Sequence, residues 1–263
     1  HILWLLQPKL VSLLNPKAVL IENVPWREGE LGATGSAAGT KQQYAKLREA
    51  IEALGYTWTE RNDVNCSEHG DHTSRERFFA VATRKDVAKF EFPAPQRGYK
   101  GFWHLLERED NIRRQVRCTS QSKKWVAGRG RWKKLGASPF QSEQIGFVVP
   151  QDDRELKYLA SMRERFAGLR NPKGFRVYLP RSPAPTIMAY GREETCGPGK
   201  HTQFIMDREG NIRTLSVREA ASIHGFTERT IASLEELREA TAFRMIGNSV
   251  PVSTMTVLLR GIK

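Results

Sequence analysis

The sequence predicts an α/β fold, in which a mixed sheet with helices is interrupted by an irregular basic insert. Residues 1–95 alternate short apolar runs with a helical repeat, residues 96–185 lack clear periodicity, and residues 186–263 return to helical patterns. Of the 263 residues, 39% are hydrophobic and 27% are charged, which excludes disordered and fibrous proteins. No apolar run is long enough to predict a membrane span.

The first 95 residues supply the strands of the predicted sheet. An apolar helix ends at residues 10–14, and the branched apolar run at residues 18–21 is typical of a strand buried on both faces. Apolar residues at helical spacing predict a helix over residues 44–54. Residues 56–60 and 77–83 are expected to form further strands of the same sheet.

The last 78 residues are predicted to be mainly helical. Ser216 and Glu219 form a capping-box pattern that opens one helix, and Ser233 with Glu236 predicts the start of another. A tight turn at residues 247–251 then leads into a closing helix.

The net charge of +13 is concentrated in the middle of the chain. Residues 96–185 hold 20 basic and 8 acidic side chains, and residues 111–134 hold nine basic and no acidic ones, with Trp125 and Trp132 among them. Interleaved cationic and aromatic side chains suit phosphate contact and base stacking. A solvated loop anchored by two tryptophans is the alternative.

The three cysteines, Cys66, Cys118 and Cys196, predict no disulfide framework, and no signal-peptide pattern is present. We therefore expect a cytoplasmic protein. Cys66 lies three residues from His69, which lies three from His72, but no second cluster completes a tetrahedral zinc site. No metal is expected.

Four short blocks together resemble those of the cytosine-5 DNA methyltransferases, and they occur in the order found in that family. The first is Glu22-Asn23-Val24 after an apolar strand, and the second is Ser74-Arg75-Glu76-Arg77-Phe78. The third runs from Arg213 to Phe226, and the fourth is Gly247-Asn248-Ser249-Val250. The basic insert separates the second block from the third, as the target-recognition region does in that family.

The resemblance implies an incomplete class I methyltransferase (Rossmann-like) mixed sheet with an irregular target-recognition insert. Residues 1–92 would form the C-terminal half of the catalytic core, residues 93–185 the target-recognition region, and residues 186–263 the return to the catalytic domain.

The resemblance also implies catalytic roles. Glu22 would donate a hydrogen bond near N3 of a flipped cytosine, with Asn23 beside it. Arg77 would contact the base oxygen, and Arg75 would support the catalytic carboxylate. Both arginines are expected on one face of a strand. Thr73 stands where the family usually has Gln, so the contacts of that Gln would be lost or bridged by water. If the resemblance is set aside, the alternative interpretation of Glu22 is a helix cap or a surface carboxylate. The alternative interpretation of the two arginines is that they form ordinary ion pairs.

Asn248 and Ser249 resemble the residues that approach the methionine end of S-adenosyl-L-methionine; simple turn chemistry is their alternative interpretation. The other implied partner is double-stranded DNA. Its candidate contacts are Arg113, Arg114, Lys123, Lys124, Arg129 and Arg131.

Two early blocks of the family are absent from this sequence. There is no Phe-x-Gly-x-Gly turn, and none of the three cysteines follows a proline as the catalytic nucleophile of the family does. We therefore expect the first strands of the sheet and the nucleophile to lie outside this chain, in the same gene product or in a separate subunit. The chain alone would transfer no methyl groups, and the strand at residues 18–21 would leave an exposed apolar sheet edge.

The predicted function is that of a DNA (cytosine-5-)-methyltransferase, which transfers methyl from S-adenosyl-L-methionine to C5 of a flipped cytosine in a specific sequence. A bacterial or phage-encoded restriction-modification setting, or a plasmid setting, is expected. Two alternatives remain: a non-catalytic, sequence-specific DNA-binding protein, and the partner subunit of a split methyltransferase. RNA is a weaker option as substrate.

Overall fold

A computed structural model describes residues 2–25, 37–95, 100–107, 125–127, 144–148, 176–189, 204–208 and 212–262. The chain forms two compact units. The first comprises His1–Asn65, Glu76–Pro95 and Met255–Lys263, and the second comprises Cys66–Arg75 and Gln96–Thr254. These boundaries differ from those of the three segments that the resemblance implies, namely residues 1–92, 93–185 and 186–263, and those segments stay a prediction.

The helices of the described residues are α1 (Ile2–Leu14), α2 (Ala37–Ala53), α3 (Val217–Ile223), α4 (Glu228–Glu235), α5 (Glu239–Asn248) and α6 (Val252–Arg260). None of these helices is both long enough and apolar enough to cross a membrane. The strands are β1 (Ala18–Asn23), β2 (Tyr56–Asn65), β3 (Thr73–Ser74), β4 (Glu76–Arg84), β5 (Trp125–Ala127), β6 (Gln144–Val148), β7 (Arg176–Tyr178), β8 (Ala184–Pro185), β9 (Phe204–Met206) and β10 (Ile212–Thr214).

The sheet of the first unit has the order β1-β4-β2, with both pairs antiparallel. Strand β4 lies in the centre because its apolar run, residues 78–82, is fully buried. Tyr44, Leu47 and Ile51 of α2 belong to the same core, so the helical repeat in the sequence is the face that packs against this sheet.

Strand β1 is an edge strand among the described residues, where β4 is its one paired neighbour. Ala18, Val19 and Leu20 are only partly buried, whereas Ile21 is buried. This partial cover agrees with the sheet edge expected from the sequence. Strand β1 extends to Asn23, so Glu22 and Asn23 belong to the strand itself.

The second unit contains a five-stranded sheet of order β10-β9-β7-β6-β5. Strands β7 and β9 are parallel and the other pairs are antiparallel, so this sheet is mixed, as the fold class predicted. Strands β3 and β8 form a separate parallel pair. Ile223, Ile231 and Ile246, one from each of helices α3, α4 and α5, share the core of this unit.

The first residues of helices α3 and α4 test the two capping predictions. Ser216 caps α3, and both hydrogen bonds of the capping box with Glu219 are present, which confirms the first. The second is wrong because Ser233 lies inside α4, where its hydroxyl donates to the carbonyl of Arg229 at 3.2 Å. Thr227 caps α4 instead, by accepting from the amide of Thr230.

Candidate active site

Glu22 and Arg77 meet on one face of the sheet in the first unit. Glu22 is the register partner of Phe79, and Arg77 precedes Phe79 by two residues on β4. Because side chains alternate along a strand, Arg77 and Glu22 are diagonal neighbours on the same face. Their ion pair joins Nε of Arg77 to Oε1 of Glu22 at 2.9 Å. Register and alternation therefore place a carboxyl group and a guanidinium together at the end of β1.

This pair is sheltered but reachable. The Arg77 side chain is 11% exposed and that of Glu22 is 28% exposed, so a ligand can still contact the carboxyl group. Arg77 also donates from one terminal nitrogen to the carbonyl of Glu76 at 2.7 Å, which fixes the guanidinium. Burial raises the pKa of Tyr44, and the negative charge of Glu22 raises it further.

Asn23 ends β1 next to the carboxyl group. Its side-chain oxygen accepts a hydrogen bond from the amide of Val24 at 2.7 Å, which shapes the chain as it leaves the strand. The resulting role is local, and a direct contact of Asn23 with substrate stays a prediction.

Arg75 occupies a different environment from the one expected. Strand β4 begins at Glu76, so Arg75 is outside the strand that carries Arg77, and the expectation of two arginines on one strand is wrong. Arg75 is buried in the second unit and donates to the carbonyls of Ile187, at 3.1 Å, and Gly247, at 2.6 Å. These two carbonyls hold the Arg75 guanidinium inside the second unit. The ion pair with Glu22 is made by Arg77.

The parallel pair β3–β8 explains the threonine in the second block. Thr73 is fully buried, and its hydroxyl donates directly to the carbonyl of Pro185 at 3.3 Å. Thr186 donates in turn to the carbonyl of Ser74 at 3.1 Å. These two bonds fasten residues 73–75 to residues 184–187. The loss or water-bridging of the contacts made by the family's Gln stays a prediction.

Asp71 caps the beginning of α6. Its carboxylate accepts from the amides of Ser253, at 3.0 Å, and Thr254, at 2.8 Å, and from the Thr254 hydroxyl at 2.5 Å. Burial raises the pKa of Asp71, and these hydrogen bonds oppose the rise. A remote carboxylate thus satisfies the first amides of the closing helix.

Cys66 is fully buried beside this cap. Its amide donates to the carbonyl of Arg75 at 2.9 Å, and its carbonyl accepts from the amide of Asp71 at 3.3 Å. A buried thiol in such a position is structural and is sheltered from substrates. Within the described part of the chain, no three His, Cys, Asp or Glu side chains are grouped to hold a metal ion.

The fourth block forms the end of α5 and the turn that follows it. Asn248 is the last residue of the helix and is exposed. Ser249 caps the helix end, and its hydroxyl donates to the carbonyl of Ile246 at 2.6 Å. A Cβ on Gly247 would stand 2.2 Å from the backbone nitrogen of Ala189, so only glycine fits here.

His224 holds this turn, which the sequence did not reveal. Its Nδ1 lies 3.0 Å from the Ser249 hydroxyl, and its carbonyl accepts from the amide of Val252 at 2.9 Å. The ring is fully buried. A lone histidine after a helix carries no distinctive pattern, and only the fold brings it to Ser249.

The third block forms a buried charged network. Arg213 makes two bonds to the Glu219 carboxylate, at 2.8 and 2.7 Å, and an ion pair with Asp207 at 3.4 Å. Glu219 also accepts from the amide of Glu107, and Ser216 donates to the Glu107 carboxylate. Burial raises the pKa of Glu107. The network anchors α3, so these charges are structural.

The candidate DNA contacts Arg113, Arg114, Lys123, Lys124, Arg129 and Arg131 lie outside the described residues. Their role therefore stays a prediction from charge and composition.

Comparison with known proteins gives one consistent family. The family model described as C-5 cytosine-specific DNA methylase matches residues 3–263. The type II methyltransferase M.FnuDI of Fusobacterium nucleatum is 27% identical over 97% of this chain and 67% of its own length. M.MthTI of Methanothermobacter thermautotrophicus is also 27% identical, over 97% of this chain and 68% of its own length.

The fold likewise resembles that of a solved methyltransferase. The structure of Entamoeba histolytica EhMeth matches 93% of this chain with a TM-score of 0.54 and 14% identity. At this identity the likeness concerns the fold alone. The chain spans 61% of that protein, and thus less than two thirds of its length.

Proposed function

Since this chain belongs to the C-5 cytosine-specific DNA methylase family, we propose that it takes part in methyl transfer from S-adenosyl-L-methionine to C5 of a cytosine in double-stranded DNA. The observation that carries this proposal is the pair formed by Glu22 and Arg77 at the end of β1. The target cytosine is flipped out of the duplex, because C5 cannot be reached inside the stack.

Glu22 acts at N3 of the flipped base. When a thiolate adds to C6, the electron pair of the C5–C6 double bond is released into the ring, and negative charge develops towards N3 while C5 becomes nucleophilic. Glu22 in its protonated form donates to N3 and stabilises this charge. Nε of Arg77 lies 2.9 Å from Oε1 of Glu22, so it can donate to the carbonyl oxygen of the protonated carboxyl group and hold it in place. The guanidinium also offers a cation for the base oxygen.

The residues at the end of α5 fit the methionine end of S-adenosylmethionine. The hydroxyl on Ser249 is a suitable partner for an ammonium, and the exposed side-chain amide of Asn248 can donate to a carboxylate. The cofactor supplies the electrophilic methyl group when bound. Arg75 supports this region by holding the carbonyl of Gly247, and we assign it a positioning role.

The nucleophilic thiolate comes from outside the three cysteines of this chain. Cys66 is buried and structural, and Cys118 and Cys196 lack the preceding proline of the family's nucleophile. Among the described residues, strand β1 pairs only with β4. We therefore infer that a further polypeptide segment lies beside β1, either in the same gene product or in another subunit. On this proposal the chain alone transfers no methyl groups.

The basic middle of the chain contacts the DNA, because its excess charge and tryptophans suit phosphates and bases. The two relatives are type II methyltransferases, which supports a restriction-modification setting. The cytoplasmic location expected from the sequence stays a prediction.

The test is to identify the methylated product. DNA and labelled S-adenosylmethionine are incubated with the 263-residue chain and, in parallel, with the complete gene product or gene pair that encodes it. We expect the label in 5-methylcytosine with the complete enzyme and no transfer by the chain alone. DNA binding without any transfer by the complete enzyme would favour the non-catalytic DNA-binding alternative. Transfer by the chain alone would contradict the proposal of an external nucleophile.

A further inference from the structure

We propose that His224 is a positioning residue for the cofactor, and that it makes Ser249 a pure hydrogen-bond acceptor toward the cofactor's α-ammonium group. This inference rests on the proposed function, because it concerns the same binding turn. It assigns a role to a buried side chain that lies within the third block but has no distinctive pattern in the sequence.

The direction of the hydrogen bonds follows from the chemistry of the three groups. The Ser249 hydroxyl lies 2.6 Å from the carbonyl oxygen of Ile246, and a carbonyl can only accept. The single hydroxyl proton is therefore committed to Ile246. Nδ1 of His224 lies 3.0 Å from the same hydroxyl oxygen, so Nδ1 must carry a proton and donate.

One acceptor site on the Ser249 oxygen then remains for a ligand. A hydroxyl has two lone pairs, and one of them is used by His224. A ligand group at this oxygen must donate a hydrogen bond, which fits an ammonium and excludes a carboxylate. The partly exposed Ser249 side chain makes such contact feasible.

His224 also fixes the main chain of the turn. Its carbonyl accepts from the amide of Val252 at 2.9 Å, so one residue binds the turn through its side chain and its backbone. The helices that flank the turn are also held, α5 by the bond from Arg75 to Gly247 and α6 by the bonds from Ser253 and Thr254 to Asp71. The Ser249 oxygen is thus held in place before any ligand arrives, which reduces the entropy cost of binding.

The decisive variants differ in whether they keep a hydrogen-bond donor at the position of Nδ1. His224→Asn places an amide N–H near the position of Nδ1, whereas His224→Leu removes the donor. In the complete enzyme, we expect His224→Leu to weaken S-adenosylmethionine binding about fivefold to tenfold, the loss of one hydrogen bond, and His224→Asn to restore most of it. In Ser249→Ala, adding His224→Leu should produce no further loss, because His224 acts through that hydroxyl.

Two analogues of S-adenosylhomocysteine test whether the Ser249 oxygen accepts a hydrogen bond from the α-ammonium group. Removing the α-amino group should abolish the difference between the wild type and Ser249→Ala, whereas removing the α-carboxylate should preserve it. Unchanged cofactor binding by a folded His224→Leu variant would contradict the positioning role. Additive losses of cofactor affinity in the double variant would also contradict the positioning role. If the affinity lost in Ser249→Ala depended on the α-carboxylate of the analogue, the acceptor role of Ser249 would be contradicted.

Nitrogen-15 NMR of the wild-type complete enzyme tests the geometry independently of any variant. We expect the nitrogen-15 resonance of His224 Nδ1 to have the chemical shift of a protonated ring nitrogen and to show a one-bond coupling to hydrogen. An unprotonated Nδ1 would overturn the inference. Failure of the wild-type complete enzyme to bind S-adenosylmethionine would instead overturn the cofactor part of the proposed function, and the two failures are therefore distinguishable.

Discussion

Glu22→Gln lowers kcat for methyl transfer by the complete enzyme by about 10²-fold or more, within the range that a positioned acid–base group contributes. Glutamine keeps the shape of the side chain and an oxygen that can accept from Arg77, but it cannot supply the proton of a carboxylic acid. Negative charge on the ring is then less well stabilised after the thiolate adds to C6. The measurement is single-turnover transfer with labelled cofactor.

The matched control is Glu52→Gln. Glu52 is also a glutamate bound to an arginine, here Arg48 at 3.1 Å, but that pair lies on the exposed surface of α2. We expect its rate to equal that of the wild type. A Glu22→Gln enzyme that is folded and retains kcat within about threefold would rule out an acid–base role of the size assigned to Glu22.

Gly247→Ala destabilises the protein by roughly 3 kcal/mol or more, at or beyond the usual range for overpacking, because the new methyl group meets backbone atoms. The added Cβ would lie 2.2 Å from the nitrogen and 2.4 Å from the Cα of Ala189. A side chain could rotate away, whereas this backbone segment is held through the bond from Arg75 to Ile187. The better helix propensity of alanine, about 1 kcal/mol, is too small to compensate.

Gly55→Ala separates this steric effect from simple loss of glycine. Gly55 has φ +89° but no heavy atom within 4 Å of an added Cβ, so its cost is backbone strain of about 1–2 kcal/mol. Urea unfolding of both variants provides the comparison. A Gly247→Ala protein as stable as Gly55→Ala would show that the contact between α5 and residues 188–189 is loose.

The parts of the fold that the sequence predicted are those encoded locally. The apolar run at residues 78–82 identified the buried central strand, and the capping box at Ser216 identified the start of α3. At Ser233 the same kind of local pattern failed, because Thr227 provides a cap that starts the helix earlier. A short capping pattern cannot reveal which of two nearby candidates the packed helix will use.

The parts of the site that the sequence missed depend on contacts between distant residues. The blocks named Arg75 and Arg77 together, but the carbonyls of Ile187 and Gly247 that hold Arg75 lie more than 100 residues away. The role of His224 likewise requires the turn at Ser249, 25 residues later. A family block identifies which residues matter, and only the packed chain shows what each one contacts.

The central claim is that this chain supplies the carboxyl group for the cytosine ring and that another segment supplies the nucleophile. It is tested most directly by trapping the covalent adduct on DNA that carries 5-fluorocytosine. Fluorine at C5 cannot leave as a proton does, so the bond between sulfur and C6 persists after methyl transfer. Peptide mass spectrometry of the complete enzyme then locates the linked cysteine. We predict a cysteine other than Cys66, Cys118 and Cys196, and an adduct on any of these three would contradict the account.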